Sequence, residues 1–452
     1  MLFLIFLKSK KNYDENKGGD LAVRKILDCP EKPSSIEPHP DVITKAYNIQ
    51  VITPLFGGGV MGGENDPVTS IRSSCIRGNL RFFWRATRGT RFNSVLELRK
   101  REGEIWGTTE NPSEVALEVE MKSSGKSYPC AYFPEDKNFP RFEKNHPSYA
   151  LFPFQGNKRD GIPPAKCTLN VSFELKLTHS QTLSQDVDAA VWAWANFGGI
   201  GARTRRGCGA LYCNELSPKR ESLNSWYRSS LEGFGVDLSR SLDWPTLPDR
   251  FLVRDNNSNN ILQGWTGVVG LMQTFRQGQG VGRNPGSNPN RPGRSRWPEP
   301  ETIRQATSSR SAQHFRMPAI PNDAFPRAEL GLPIVFHFKD NGDPKDTELY
   351  PVIDSQKKTR MASPLILRPM ICKNGEVMQL ILRLNSPVPD EVILEKAPGS
   401  PTFDKIRDPT LAIYPNSPMG EPKTGAPARS PSGSAIEGFL AFAEENGFVE
   451  VI

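Results

Sequence analysis

Residues 196–211 read NFGGIGARTRRGCGAL, and this stretch decides the fold. It contains five glycines and three arginines but no acidic residue. The segment before it, SQDVDAAVWAWANF, has apolar residues at helical spacing and predicts a helix with Ser184 as its N-cap. The segment that leaves it, GALYCNEL, predicts a strand. The order along the chain is therefore helix, glycine loop, strand.

This order argues against a nucleotide cofactor in the loop. Phosphate-binding loops run from strand to glycine turn to helix, because the helix N-terminus supplies the anion site. Thr204 also stands where the dinucleotide fingerprint needs glycine, and no GK[ST] motif is present. We therefore predict no cofactor. A solvated turn and a nucleic-acid backbone site remain, and an arginine-only loop favours the nucleic acid because guanidinium groups match phosphate geometry.

A second arginine-rich region lies upstream. A strand over KAYNIQVITPLF (45–56) leads into the glycine loop GGGVMGGEND (57–66), and SIRSSCIRGNLRFFWRATRG (70–89) predicts a helix. Its arginines 77, 81, 85 and 88 fall within about 80° of arc. No acidic residue occurs between Pro67 and Leu96. An ordinary solvated face is the alternative, but such faces usually mix charge signs, so this stripe also favours an anionic partner.

Strands are predicted at VALEVEM (115–121) and CTLNVSFELKLT (167–178), where the latter alternates as a half-buried strand does. Strand, helix, two antiparallel strands, helix and strand is the ferredoxin-like order. Two copies would fill the chain. We therefore predict an α+β protein with two ferredoxin-like domains in tandem and long loop insertions, divided into residues 1–40 (a flexible tail), 41–216 and 217–452.

The second half has three further features. PLILRPMICKNGEVMQLILRL (364–384) predicts a hairpin around Asn374-Gly375 with a type I′ turn. Residues 386–433 contain ten prolines and predict mostly loop. SGSAIEGFLAFAEENG (432–447) predicts an amphipathic helix that Gly447 ends.

A long basic loop is predicted over residues 276–297. It lies within a run of 43 residues, 256–298, that has no Asp or Glu. Its Gly, Pro and Asn content excludes regular structure, so it is either a disordered insertion or an arm that orders on RNA. Trp297 and Phe56 are candidate stacking platforms for bases, although aromatic residues are more often core.

Bulk properties set outer limits. The chain has 452 residues, a net charge of +7 and seven scattered cysteines without a CxxC pair, which gives no zinc ribbon or disulfide framework. No segment approaches the length of a membrane span. We expect a protein of the reducing cytoplasm, and the modest net charge means that local charge patterns must identify the partner.

Catalytic motifs are weak. None of the five histidines has metal-ligand spacing, so we predict no metal and no enzyme. His314 is the one histidine in a basic neighbourhood and is the candidate for a metal-independent ribonuclease. Asp66 in the first glycine loop is a second, minor candidate for an active site or metal ligand.

The glycine loops and the arginine helix, taken together, resemble a known family. ITPLFGGG followed by SIRSSCIRGNLRFFWRA and NFGGIGARTRRGCGAL is similar to the signatures of the RAMP superfamily of CRISPR proteins. Within it, the chain resembles the first subunits of type III-B (Cmr) effector complexes. Later blocks agree, namely GRSRWPEPETIR, FPRAELGLPIVFHF and RMASPLILRP.

The resemblance implies a non-catalytic RNA-binding subunit in antiviral defence. It implies contact with the 3′ region of the CRISPR RNA and with target RNA, alongside other subunits of the Cmr complex. A RAMP endoribonuclease that processes CRISPR precursor RNA, and a purely architectural subunit whose arginines meet protein acids, are the alternatives. Cys208 departs from the family pattern, which often has an aromatic residue before the final glycine.

The predicted RNA-binding residues combine the motifs with the basic loop. They are Gly57, Gly58, Gly59, Arg72, Arg77, Arg81, Arg85, Gly199, Gly201, Arg203, Arg205, Arg206, Gly207, Arg294 and Arg296. Everything in this prediction depends on these arginines having no internal acidic partners.

Overall fold

The computed structural model describes residues 40–57, 59, 66, 69–287, 293–314, 323–414, 417–422 and 425–452. The tail predicted over residues 1–40 therefore lies, apart from Pro40, outside the described residues. Within the described ranges, no helix combines the length and apolar character that crossing a membrane requires.

Helices and antiparallel strands alternate along the chain, which confirms the predicted α+β class. The strands are β1 (Val42–Val51), β2 (Ala116–Pro129), β3 (Ala131–Tyr132), β4 (Arg141–Phe142), β5 (Lys166–Ser180), β6 (Leu211–Tyr212), β7 (Phe251–Asp255), β8 (Ile334–Phe336), β9 (Thr347–Ile353), β10 (Gln356–Lys357), β11 (Leu365–Ile371), β12 (Val377–Arg383), β13 (Glu391–Glu395), β14 (Thr402–Phe403) and β15 (Val449–Val451). The helices are α1 (Ser73–Ala86), α2 (Val95–Trp106), α3 (Ser148–Leu151), α4 (Ser184–Phe197), α5 (Leu223–Gly233), α6 (Ile261–Gln277), α7 (Glu299–Ala306), α8 (Thr410–Ile413) and α9 (Ala435–Glu445).

The first sheet has the strand order β2-β5-β1-β6, and α1 and α4 connect its strands. This is the ferredoxin-like order, with β1 and β5 side by side in the middle. β5 buries alternate residues from Val171 to Leu177, as its sequence pattern predicts, because one face of the sheet packs on the helices. The glycine loop quoted above joins the end of α4 to β6, which confirms the order helix, loop, strand.

The second sheet has the order β11-β12-β7-β15, with α6 and α9 as connecting helices, so it repeats the ferredoxin-like order. β11 and β12 are buried along almost their whole length. Leu365 and Leu367 join a core with α6 and α9, whereas Ile366 and Met370 join the core of the first sheet and α4. A strand that is covered on both faces needs a continuous apolar run, which explains its sequence.

A third sheet lies in the insertions of the second half and has the order β10-β9-β13-β14, with β8 paired to β9. Within residues 386–433 the described part of the chain forms only the short elements β13, β14 and α8, so this stretch is mostly loop as predicted, with two strands that the sequence pattern did not indicate. The buried residues Val392 and Leu394 pack into a separate small core with Phe325, and this packing outweighs the turn-forming prolines around them.

Three local predictions concern the start of α4, the turn between β11 and β12, and the end of α9. Leu183, not Ser184, is the residue that precedes α4, because a short 3-10 turn runs directly into the helix. In the β11-β12 hairpin only Gly375 has a positive φ, of 82°, whereas a type I′ turn requires two such residues, so that turn type is wrong. Gly447, with φ of 82°, follows the last turn of α9 as predicted.

Candidate nucleic-acid interface

The two predicted glycine loops lie against each other. A Cβ on Gly201, whose φ is 85°, would lie 2.4 Å from the carbonyl oxygen of Phe56. The amide of Ala202 donates to the same oxygen at 2.8 Å. Ala202 also lies 3.6 Å from where a Cβ on Gly57 would stand. The glycines thus permit the close approach of two chain segments.

The same holds at the far end of the second loop. A Cβ on Gly207, φ of 75°, would lie 2.6 Å from the carbonyl oxygen of Leu367 on β11. The Gly207 amide is already used, since it donates to the carbonyl oxygen of Thr204. A Cβ on Gly199 would meet the carbonyl oxygen of Gly209 at 2.9 Å. The amide of Gly207 is therefore not free to bind a phosphate, contrary to the expectation that the loop glycines offer their amides.

Predicted residues of the first glycine loop are only partly covered. Gly58 lies outside the described residues, and Gly59 is described without its chain neighbours. Their contact with RNA stays a prediction.

Arg206 is buried against the second domain. Its guanidinium donates to the hydroxyl of Ser363 and to the carbonyl oxygens of Leu365 and Leu330, at 3.3–3.4 Å. Its own carbonyl oxygen accepts from the indole of Trp265 at 2.7 Å. Burial lowers the pKa of Arg206 to about 10. The expectation that all three loop arginines present exposed donors is wrong here, and Arg206 anchors the loop.

A second buried arginine, which the sequence analysis did not single out, holds the base of the loop. Arg368 on β11 is 1% exposed. It donates to the carbonyl oxygens of Ala195 and Gly198, at 3.2 and 2.6 Å, and also to that of Leu211. Burial lowers its pKa to about 9. Both ends of the loop, at the end of α4 and the start of β6, are therefore fixed by one side chain of the other domain.

Arg203 and Arg205 are different, because no carboxylate lies within 4.0 Å of either among the residues described. Both are half-buried. The Nε atom of Arg203 and one Nη atom of Arg205 are buried without an acceptor. Arg205 lies over the ring of Phe82, 4.9 Å from its centre. Burial lowers the pKa of both guanidinium groups, that of Arg205 to about 10. Unpaired buried donors are costly, which distinguishes these two guanidinium groups from the compensated arginines elsewhere.

The positive charge of the arginine stripe on α1 is partly neutralised by a carboxylate on another helix. Arg81 and Arg85 each lie 2.5 Å from the same oxygen of Glu102 on α2, a carboxylate that is 4% exposed. The sequence pattern gives no sign of α2, and it leads to the expectation that the stripe has no acidic partner. That expectation is wrong for these two residues, and it was the reason for assigning them to RNA.

The other two helix candidates are also satisfied. Arg77 donates to the hydroxyl of Ser113 at 2.6 Å and to the carbonyl oxygens of Trp106 and Val115. Burial, with the nearby charge of Arg81, lowers its pKa. A further residue, Arg72, pairs with Asp66.

That pair also bears on Asp66 as an active-site candidate. The carboxylate of Asp66 accepts from Arg72 and from the amide of Thr69. Asp66 thus closes a turn before α1 and pairs with Arg72, the residue that precedes the helix.

The arginines of the basic loop bond to protein groups within the loop and just after it. Arg296 donates to Asn284 at 2.9 Å and to the carbonyl oxygen of Gly280. Arg294 lies 3.6 Å from Glu301, a buried carboxylate that also pairs with Arg310. Residues 256–298 contain no acidic residue, and their acidic partner is Glu301 on α7, which follows directly. Both predicted RNA contacts in this loop have protein partners.

Neither stacking candidate is available to a base. Phe56 is fully buried and stacks on Phe154, with ring centres 4.3 Å apart. Trp297 is 1% exposed, and its indole donates to the carbonyl oxygen of Arg276. Both are core residues, so the stacking alternative is wrong.

His314 is held on both sides. Its Nδ1 lies 3.1 Å from both Asp343 and Arg304, and its Nε2 lies 3.2 Å from Asp340. His314, Asp340 and Asp343 form the only His and acid cluster with metal-binding spacing among the described residues. Arg304 already donates to both oxygens of Asp343, at 2.9 and 2.8 Å, and so neutralises the carboxylate that a cation would need. His314, Arg304, Asp340 and Asp343 therefore form a salt-bridged cluster, which we call the His314 cluster.

One feature of the loop surroundings carried no sequence signal. Arg276, in the last turn of α6, donates to the hydroxyl of Tyr149 at 2.5 Å. Burial alone would raise the pKa of Tyr149, but Arg276, Arg206 and Arg203 together lower it. A tyrosine in HPSYALF has no recognisable pattern, and only the fold brings it beside the glycine loop.

Comparison with known proteins bears on the first domain. Residues 48–212 match the family model of the RAMP superfamily. The chain is 29% identical over 178 residues to "CRISPR system Cmr subunit Cmr1-2" of Pyrococcus furiosus, covering 36% of this chain and 92% of that protein. It is 26% identical over 181 residues to "CRISPR system Cmr subunit Cmr1-1" of the same organism, covering 38% of this chain and 50% of that protein. The resemblance to the RAMP superfamily that the motifs indicated is confirmed for this region.

Solved structures give weaker likenesses. The crystal structure of Cmr1 from Pyrococcus furiosus in its apo form matches with a TM-score of 0.45 at 14% identity, covering 90% of this chain and 98% of that chain. A cryo-EM structure of the type III-B Cmr-beta complex bound to cognate target RNA contains a chain that matches with a TM-score of 0.41 at 12% identity, covering 76% and 94%.

Proposed function

We propose that this chain is a non-catalytic RNA-binding subunit of a type III-B (Cmr) CRISPR ribonucleoprotein, because residues 48–212 match the RAMP superfamily model and the chain is similar to Cmr subunits. In antiviral defence it contacts the 3′ region of the CRISPR RNA and the target RNA. It binds the two strands through their phosphates, while base pairing between guide and target reads the sequence.

One observation carries the proposal, namely the unpaired nitrogens of Arg203 and Arg205. Each is buried without an acceptor in the described part of the chain, and no carboxylate lies near. Phosphate oxygens are the acceptors that guanidinium donors bind most effectively. The loop that holds these side chains is fixed by Arg206 and Arg368, so the donors are pre-organised.

The test is RNA binding by the full-length chain as a function of salt. A double variant, Arg203→Gln with Arg205→Gln, should bind a labelled single-stranded RNA at least about tenfold more weakly. The slope of log affinity against log salt should fall by about 1.4, which corresponds to two lost contacts on a single strand. Glutamine keeps most of the side-chain volume while removing the charge.

The matched control removes the same charge elsewhere, through Arg159→Gln with Arg228→Gln. Both arginines are exposed, one in the insertion before β5 and one on α5. A control that weakens binding as much as the loop variant would reduce the effect to net charge and contradict the proposal. Salt-insensitive binding by the unmodified chain would contradict it as well.

The endoribonuclease alternative has less support, since both ring nitrogens of His314 already have partners in the His314 cluster. It requires that the chain alone cleave CRISPR repeat RNA and that His314→Ala abolish cleavage. We expect no product when the purified chain is incubated with repeat RNA without added metal.

A further inference from the structure

The hydroxyl of Tyr149 has a donor and lacks an acceptor. Arg276 donates to its oxygen at 2.5 Å, and the guanidinium lies 5.8 Å from the ring centre. Because a tyrosine hydroxyl both accepts and donates, its own proton is left to donate outward. In the described ranges no protein group accepts that proton. The hydroxyl is thus a second orphan donor beside the Nε atom of Arg203.

These donors come from three separate parts of the chain. Tyr149 lies on α3, within the insertion between β2 and β5, and Arg276 ends α6 of the second domain. Arg203 belongs to the glycine loop, where it adopts a left-handed φ of 58° that few arginines adopt. Only the complete fold brings the three together, and no carboxylate within the described residues pairs with any of them.

The local charge is strongly positive. Burial would raise the pKa of Tyr149, but the charges of three nearby arginines, Arg276, Arg206 and Arg203, lower it. All three therefore act on one hydroxyl. Arg360, which is exposed, also lies close enough to lower the pKa of Arg203. The cluster is therefore cationic, with its three members half-buried and the exposed Arg360 at its side.

We propose that Tyr149, Arg276 and Arg203 form a pocket for a single phosphodiester group of an RNA backbone, with Arg360 beside the neighbouring phosphate. A phosphodiester has one negative charge and two non-bridging oxygens. These oxygens match the two donors without an acceptor, the Tyr149 hydroxyl and the Nε atom of Arg203, together with the guanidinium of Arg276. The pocket rests on the proposed function and assigns to it a phosphate site shared by both domains.

The experiment compares two variants of the full chain that differ in charge. Arg276→Gln should weaken single-stranded RNA binding about tenfold and reduce the salt slope by about 0.7. Tyr149→Phe removes a donor but no charge, so it should weaken binding about threefold or more and leave the slope unchanged. Arg228→Gln and Tyr132→Phe are the matched controls, since both side chains are exposed and lie outside the pocket.

Neutral phosphates sharpen the test. An RNA series with one methylphosphonate at a time should reveal one position whose neutralisation weakens binding by the unmodified chain. That position should lose its effect in Arg276→Gln and keep it in Arg228→Gln, as a double-mutant cycle requires for a direct contact. Arg276→Lys, which keeps the charge but not the fork, serves if the glutamine variant unfolds.

The outcomes separate the two proposals. If Arg276→Gln and Tyr149→Phe bind as the unmodified chain does, while the loop double variant remains weak, the pocket is wrong and the proposed function stands. If the unmodified chain binds no RNA, the proposed function itself fails. If a labelled polyglutamate peptide binds more tightly than RNA and both variants lose it, the occupant is a protein carboxylate and the phosphate assignment is overturned.

Discussion

The arginines of α1 and those of the second glycine loop have the same sequence signature and opposite environments. Both groups lack an acidic neighbour along the chain. Arg81 and Arg85 nevertheless share Glu102, which lies on the next helix and is buried. Arg203 and Arg205 have no such partner in the described residues. Absence of acid in a sequence window therefore does not identify an anion site, because the neutralising carboxylate can come from a distant segment of the chain.

The difference follows from packing. α1 lies beside α2, so a carboxylate on the facing helix can reach its arginines and is desolvated between them. The glycine loop instead packs on β11, where the neighbouring polar groups are backbone carbonyl oxygens. Carbonyl oxygens can satisfy some of its donors but cannot neutralise the charge.

The largest effect is expected at Arg368, which fixes the loop. Arg368→Ala leaves the carbonyl oxygens of Ala195, Gly198 and Leu211 without their donor and creates a cavity, so the free energy of unfolding should fall by about 3–5 kcal/mol. Denaturant unfolding measures this. Arg383→Ala, on the adjacent strand and half-buried, should cost less than about 1 kcal/mol, and equal losses would contradict the anchoring role.

Next in size is the removal of the shared carboxylate of the stripe. Glu102→Gln should reduce the free energy of unfolding by about 2–4 kcal/mol, because two partly buried guanidinium groups lose their counter-charge. Glu104→Gln, in an exposed pair on the same helix, should cost less than about 0.5 kcal/mol. If the two variants are equally stable, the stripe is not compensated by Glu102, and its assignment to RNA regains its basis.

The loop pair should respond in the opposite sense. Arg203→Gln with Arg205→Gln should leave the free energy of unfolding unchanged or raise it by up to about 1 kcal/mol, since unpaired buried donors are relieved. The same exchange at Arg81 and Arg85 should destabilise the chain by isolating Glu102. Thermal unfolding of both double variants, measured together with RNA affinity, tests the comparison directly. Parallel shifts in the two variants would remove the distinction.

The smallest effect is a pH dependence at Tyr149. Its lowered pKa means that the phenolate forms at a lower pH than the ordinary value of about 10. The new negative charge opposes a phosphate, so RNA affinity should fall a few-fold, roughly, as the pH rises towards that value. Arg205 and Arg206, whose pKa values are about 10, stay mostly charged only below that pH, so the comparison applies below it. Tyr149→Phe should show a flat profile, and a similar alkaline loss in that variant would exclude Tyr149 as the cause.

Much of the fold was predictable because it depends on local patterns. The alternation in β5 and the helical spacing in α4, with the glycine loop between α4 and β6, were enough to give the ferredoxin-like order. The strands in residues 386–433 were not predictable, because the apolar partners of Val392, such as Phe325, lie far away in sequence.

The site was predictable only in part, for a related reason. Arg203 and Arg205 could be named from composition, but whether a guanidinium is neutralised depends on residues such as Glu102, which is 21 positions from Arg81. Tyr149 and Arg276 are 127 positions apart and gave no joint signal. Long-range charge pairing leaves no local pattern.

The grip of Arg368 on both ends of the glycine loop has a consequence for biosynthesis. Arg368 follows Leu211 by 157 residues, so the ribosome must complete most of the second domain before the loop acquires its final shape. A nascent or truncated first domain lacks that brace and holds Arg203 and Arg205 in no fixed geometry. If the proposed function holds, only chains whose synthesis has passed β11 would be competent to bind an RNA strand.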